Sequence, residues 1–198
     1  LAPDGKKLAF TSRGEIFATA AKENGEATRV TFDPGNDGEI HWAPDSKRIV
    51  FSSDRGGATH LYLYDFTTRT ETPLTSGAGP DNTPIWSPDG KSIGFIRAGR
   101  ELRVVDVKTK RDRLVATGYF DREPFESWRG YAWSPDNRWI AYASGGAKGF
   151  SNVYLVPAAG GESRVVSFLP NVFGGTVAWS PDGTFLLFVS RQRTEEGV

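Results

Sequence analysis

Residues that could do chemistry are sparse in this chain, and their spacing rules out most familiar arrangements. The only histidines are His41 and His60, and no Gly-x-Ser-x-Gly elbow accompanies them, so a serine-hydrolase triad has neither a nucleophile motif nor a well-placed acid. His41 adjoins Trp42 in a predicted strand and His60 begins another, which suits structural or surface roles. Cysteine is absent and no His-x-x-x-His pair occurs, so the donor set for a zinc site is missing. Asp33-Pro-Gly-Asn-Asp-Gly-Glu39 has the composition of a calcium loop but the wrong ligand spacing at Gly35; turn formation explains its residues better. Gly145-Gly-Ala-Lys-Gly149 lacks the P-loop spacing and a following helix. The acidic residues cannot be paired across a sugar from sequence alone. The expectation is a chain with no catalytic residues, no metal and no cofactor.

Contact chemistry is better represented. The connection spanning 117–130 carries Tyr119, Phe120, Arg122, Glu123, Phe125, Glu126, Trp128 and Arg129. Aromatic and arginine side chains on a loop are typical of a contact surface. Arg122, Glu123, Trp128 and Arg129 are therefore the leading candidate binding residues. Arg55, Arg97 and Lys148 are expected on loops of the same face and complete the candidate set. The partner this composition suits is a peptide or protein. Lys108, Lys110, Arg111 and Arg113 cluster, but Asp106 and Asp112 interrupt them, which favours a solvated hairpin over a phosphate-binding patch.

The elements that must position these residues come from a repeat. One decapeptide recurs five times: Leu1–Phe10, Trp42–Phe51, Trp86–Phe95, Trp133–Tyr142 and Trp179–Phe188. Its prolines fall at 3, 44, 88, 135 and 181, spaced by 41, 44, 47 and 46 residues. Proline presets φ for the second position of a type I turn, aspartate can accept from backbone amides, and glycine or asparagine next tolerates positive φ. Short runs rich in Ile, Val, Phe and Trp flank each turn and predict a hairpin, Glu39–Trp42 into Lys47–Ser52 for example. A third strand is predicted at 16–19, 61–65, 102–106 and 153–156, and a fourth at 27–31, 71–75, 112–116 and 163–168. Trp42, Trp86, Trp133 and Trp179 hold one equivalent position, as packing in every repeat demands.

Four antiparallel strands per roughly 44 residues are the unit of a β-propeller blade. The expected fold is all-β: an incomplete propeller of four-stranded antiparallel blades, about four and a half in number. The 1–198 span is read as a single partial propeller, with repeats near 1–35, 36–79, 80–121, 122–170 and 171–198. The first repeat begins at its turn and the last stops after its second strand. Uncovered blade edges should then pair with further blades or with another copy.

Composition agrees with a folded domain: of 198 residues, 38% are hydrophobic and 13% aromatic, too apolar for disorder. Twenty-four basic and 24 acidic residues cancel, so no global field draws the chain to nucleic acid or anionic membrane. No apolar run is long enough to insert into a bilayer. Methionine is absent, even at position 1, and the expectation is an internal fragment. A targeting signal would then lie elsewhere, leaving periplasm and cytoplasm both open.

The Trp86–Lys91 motif ending in Phe95, the Ser53-Asp54-Arg55 loop and the Leu61-Tyr62 strand resemble the WD-like propeller repeats of TolB, tricorn protease and prolyl-oligopeptidase-type peptidases. The stretch from Tyr119 through Val189 is most similar to tricorn-type propellers. The resemblance implies a non-catalytic propeller segment that binds or gates peptide substrates for a tricorn-like serine peptidase. Two alternatives stay open: a TolB-like protein-interaction scaffold, and a propeller enzyme acting on carbohydrate. Such repeats decorate many proteins, so the resemblance bears on fold more than on activity.

Overall fold

One turn, used five times, builds the molecule. The structure is a computed structural model that describes residues 1–22, 25–120, 130–145, 151–167 and 172–190. In every repeat the amide four residues after the motif's first position donates to the carbonyl three residues back, as in Gly90 N to Ser87 O at 2.9 Å. The same five positions, Gly5, Ser46, Gly90, Asn137 and Gly183, all have positive φ. This is a type I turn followed by a left-handed residue, a common hairpin closure. The motif aspartates Asp4, Asp45, Asp89, Asp136 and Asp182 each accept the amide two residues on. Ser46 occupies the left-handed site without being glycine. It is buried, and its Oγ accepts the Asp4 amide at 3.0 Å, tying one repeat to the next.

The hairpins extend into antiparallel sheets. The first contains β1 (Lys7–Ser12), β2 (Glu15–Ala20) and β3 (Thr28–Arg29). The second contains β4 (Asp37–Trp42), β5 (Arg48–Ser53), β6 (His60–Asp65) and β7 (Thr70–Pro73). The third contains β8 (Asp81–Trp86), β9 (Ser92–Arg97), β10 (Glu101–Asp106) and β11 (Asp112–Thr117). A fourth contains β12 (Tyr131–Trp133), β13 (Trp139–Gly145), β14 (Ser151–Pro157) and β15 (Arg164–Val165). The strands β16 (Val172–Trp179) and β17 (Leu186–Ser190) form a pair. Strands within each sheet follow chain order, the meander expected of consecutive hairpins. No helix among the described residues is long and apolar enough to cross a membrane.

The fourth strands of the first and fourth sheets are shorter than the apolar pattern predicts. β3 covers 28–29 of an expected 27–31, and β15 covers 164–165 of 163–168. A side chain ends the ladder early. Thr31 Oγ1 accepts the Ile16 amide at 3.0 Å and Ser167 Oγ accepts Val153 N at 3.0 Å; Thr75 Oγ1 does the same for Leu61 N at 2.9 Å in the second sheet. All three hydroxyl residues are buried. Each supplies a partner to an amide that would otherwise be unsatisfied, a loss worth about 1–3 kcal/mol.

The first strands carry bulges. The register of β4 on β5 shifts between Gly38 and His41, and that of β8 on β9 shifts between Asn82 and Ile85. Glu39 and Thr83 take the left-handed conformation there, with φ of 47° and 55°. The Glu39 carboxylate accepts the Thr83 amide at 2.7 Å.

The chain divides into two compact units, Leu1–Ala98 with Arg103–Arg113, and Gly99–Leu102 with Leu114–Val198. In the first, one core joins Ala2, Ile16 and Val30 to Trp42, Ile49 and Phe51. A second joins Val50, Leu61 and Leu74 to Trp86, Ile93 and Phe95. The two faces of the second sheet thus enter different cores, which is why Ile49, Val50 and Phe51 are all apolar and wholly buried. Each such side chain contributes about 1.5–3 kcal/mol of burial. The second unit has its own core of Ala141, Val153 and Val177, with Trp179, Leu186 and Phe188 packed on it.

The motif tryptophans add a polar link between neighbouring sheets. Trp86 Nε1 donates to His41 O, and Trp179 Nε1 donates to Ala132 O, both at 3.2 Å. Basic side chains reinforce the first two junctions: Lys7 lies over Trp42 at 5.9 Å and Arg48 over Trp86 at 4.8 Å.

Candidate functional site

Among the candidate binding residues, Arg122, Glu123, Trp128, Arg129 and Lys148 lie outside the described residues. Arg55 and Arg97 are described. Each sits at the centre of an ion cluster.

Arg55 follows β5. Its guanidinium donates to Asp33 at 2.7 Å, to Asp37 at 3.0 Å and to Glu71, while Nε reaches Ser53 Oγ at 2.8 Å. The flat group also lies over the Tyr62 ring at 4.4 Å. Burial opposes its charge, but the bond to Asp37 and the Glu71, Asp37 and Asp33 carboxylates outweigh that and raise its pKa. Glu71 is pushed above the usual carboxylate range by burial, against the pull of Arg55. Gly35 is needed for close approach: φ is +152°, and a Cβ there would meet the Arg55 backbone at 2.9 Å. The Asp33–Gly38 segment therefore converges on a guanidinium. Among the described residues, no group of three or more His, Cys, Asp or Glu could hold a metal ion.

Arg97 ends β9. It clasps Asp81 through Nε at 2.7 Å and Nη2 at 3.0 Å, and donates to Asp112 at 3.0 Å and Ser76 O at 3.2 Å. The Asp81 bond and the Asp81 and Asp112 charges raise its pKa despite burial. His60 Nδ1 lies 3.2 Å from Asp81 Oδ2, while His41 Nδ1 accepts the Trp86 amide at 3.4 Å. The Arg55 and Arg97 side chains are only 9% and 13% exposed. Their donors are occupied by the chain's own carboxylates, so both hold sheet edges to loops.

A cleft of about 460 Å³ opens where the 117–130 connection leaves β11. Gly118 N donates to Arg100 O at 2.8 Å, Phe120 N to Gly99 O at 3.0 Å, and Tyr119 N to Ser144 Oγ at 2.9 Å. These bonds set Tyr119 upright at the rim, half exposed, with the Arg100 guanidinium 4.2 Å from its ring centroid. Gly118 makes the approach possible, since a Cβ there would stand 2.5 Å from Ser144 Oγ. Tyr142 and Tyr154 line the cleft, and Phe120 backs the first of them. Phe120 tilts against Tyr142 at 5.7 Å, and Tyr142 stacks on Tyr154 at 5.1 Å. Tyr142 is fixed by a 2.9 Å bond from its hydroxyl to Ser163 Oγ, and burial raises its pKa.

Tyr119 and Phe120 stood out in the sequence as aromatic residues of the 117–130 connection; Arg100, Tyr142, Ser144 and Tyr154 did not. Tyr142 had a signal. It is the one tyrosine at a motif position where the other four repeats have phenylalanine.

Such a cleft joins ring faces, the exposed Arg100, the Glu101 carboxylate and hydroxyl groups. It suits an extended chain with apolar side chains and a negative or carbonyl oxygen for Arg100. Consecutive four-stranded meanders joined through a conserved-geometry Pro-Asp turn define an incomplete β-propeller of four-stranded antiparallel blades.

The chain belongs to the TolB beta propeller domain family, which matches residues 1–131. Dipeptidyl-peptidase 5 of Porphyromonas gingivalis is 23% identical over 252 residues, covering 98% of this chain and 37% of that protein. The crystal structure of TolB from Acinetobacter baumannii superposes with a TM-score of 0.68 at 22% identity, over 97% of this chain and 48% of that one. The crystal structure of the tricorn protease does so at 0.75 and 19% identity, over 94% of this chain and 18% of that one. The chain thus spans less than half the length of each.

Proposed function

We propose that this chain is a non-catalytic propeller segment of a larger protein, and that it binds or gates peptide substrates for a tricorn-like peptidase. The observation that carries the reading is the cleft rimmed by Arg100 and Tyr119. An extended peptide laid there would stack an apolar side chain on Tyr119 and Tyr154 and place an oxygen against Arg100. Among the described residues Arg100 forms no ion pair of its own, only the contact with Tyr119. Arg122, Glu123, Trp128 and Arg129 continue the connection that supplies Tyr119, and Lys148 follows Ser144 and Gly145 in the chain; they are proposed as flanking contacts. Similarity to dipeptidyl-peptidase 5 and to the tricorn protease supports a peptide as ligand.

The test is fluorescence anisotropy of a labelled unstructured peptide with a free C-terminal carboxylate. Arg100→Ala and Tyr119→Ala should each weaken binding about tenfold, the size of a modest hot spot, with circular dichroism unchanged. Equal affinity in both well-folded variants would defeat the proposal.

The TolB family match favours a second reading, in which the same cleft takes a segment of a folded partner. Binding of a folded protein but not of free peptides would select it.

A further inference from the structure

We infer that the groove between β2–β3 of the first sheet and β6–β7 of the second is a docking site, whose occupant is a segment of a partner polypeptide that presents an aromatic side chain beside carboxylates.

The equivalence of the sheets shows why the groove exists. Ile16 and Leu61 are counterparts, their amides bonded to the Thr31 and Thr75 hydroxyls. Counted from them, Ala18 and Val30 of the first sheet stand where Leu63 and Leu74 stand in the second. Tyr64 and Phe66 stand where Val105 and Val107 stand in the third. Between the second and third sheets, Leu63, Leu74, Val105 and Val107 close into one core, with Val105 wholly buried. Between the first and second, the aliphatic wall is cut back to Ala18 and Val30, and the wall opposite carries two rings. That junction stays open as a groove of about 880 Å³ whose lining includes all four residues, and Tyr64 is only half-buried.

Its aromatic groups are already in place. Trp42 stacks on Phe66 at 5.1 Å, and Phe66 meets Tyr64 edge-on at 4.9 Å, a run of rings from core to groove. Phe32 stands on the rim, 71% exposed. The Arg29 guanidinium lies 5.0 Å from its ring centroid, and is itself held by Glu15 and, at 2.7 Å, by Thr31 O. An inserted ring would find partners that need little further ordering.

Charge selects what accompanies that ring. Lys7 and Arg69 line the groove at the end where β1 begins and β6 gives way to β7. Lys7 Nζ donates to Ser46 O at 2.7 Å and forms no ion pair among the described residues. Arg69 is exposed, with no hydrogen-bond or ionic partner among them. Asp33 and Glu71 also line the groove, but both are engaged by Arg55, which lies past the other end of β5. Glu26 is the one uncommitted carboxylate of the lining, against two uncommitted cations. The end is net positive and complementary to acidic side chains. β2 and β6 run six residues each, roughly 20 Å, a length that suits an extended chain engaging the cations and the rings together.

The site is separate from the Arg100–Tyr119 cleft, and either proposal can fail without the other. The probe is an acetylated, amidated peptide Asp-Asp-Gly-X-Gly, with X benzoylphenylalanine, added to the 198-residue chain. Calorimetry should show saturable binding, and photo-cross-links should map to 28–33 and 64–71. Ala18→Leu, the side chain that closes the neighbouring junction, should weaken the peptide about tenfold with circular dichroism unchanged. Arg69→Glu should weaken it about fivefold, as should asparagine in place of both peptide aspartates. No binding up to about 1 mM would overturn the proposal. So would cross-links confined to the Arg100–Tyr119 cleft, equal affinity in both folded variants, or equal affinity for the asparagine peptide. Binding of free benzoylbenzoate as tight as that of the peptide would also overturn it, by showing a site for small aromatic acids.

Discussion

The motif aspartates show how one side chain sets a local conformation, and Asp89, Asp136 and Asp182 show how its charge then enters stability. Asp182 is held at about 2, below its ordinary 3.8, by the hydroxyl bond from Ser180 and the amide of Thr184. Asp136 is lowered in the same way by Ser134 and the Arg138 amide. At Asp89 burial pulls upward, but Ser87 and Lys91 outweigh it and the net shift is again downward. Carboxylates with a folded pKa below the unfolded one bind protons less readily in the native state. Their contribution is therefore present above about pH 4 and lost as pH falls toward 2. Urea midpoints measured from pH 5 to pH 2 should decline, and Asp182→Asn should flatten part of that slope; an unchanged slope would refute the assignment. The turn itself was legible, because Pro, Asp and Gly each act on their own backbone. Ser46 was less so: its left-handed φ is supported by a bond from Asp4, 42 residues away.

Strands were read well where pairing is local and poorly where it depends on a distant side chain. The first, second and third strands follow from apolar runs on either side of a turn. The buried hydroxyls of Thr31, Thr75 and Ser167 meet amides 14 or 15 residues earlier, and nothing in a run of residues marks that relation. The bulges at Glu39 and Thr83 escaped for a related reason, since neither residue favours positive φ in isolation. The tryptophans were recognised as core, but not as donors. Trp86→Phe keeps most of the ring packing and removes the bond to His41 O. It should cost about 1–2 kcal/mol, from lost area and one hydrogen bond, read as a lower urea midpoint. Trp86→Ala should cost about 3–5 kcal/mol. If the two variants were equally unstable, the indole N–H and not the ring would dominate at this position.

For the molecule as a whole, the repeat revealed the class of fold, whereas the cleft emerged only from folding. Arg100, Tyr119, Ser144 and Tyr154 come from separate strands and connections, so no window of sequence contains them. The same holds for the carboxylates around Arg55 and Arg97. One apolar face also stands out. Leu8 and Phe10 are 39% and 37% exposed, while their counterparts Ile49, Phe51, Ile93 and Phe95 are fully buried. With basic and acidic residues in balance, little net repulsion keeps copies apart. Light scattering should show concentration-dependent association of the 198-residue chain, reduced by Leu8→Lys with Phe10→Lys; a monodisperse monomer before substitution would refute this. The indole bonds also bear on engineering by transplantation. A repeat excised at its sheet boundaries leaves behind the carbonyl that its tryptophan requires, and arrives in a new host one bond short. The smallest portable cassette is longer than one sheet: it must include the upstream neighbour's opening strand.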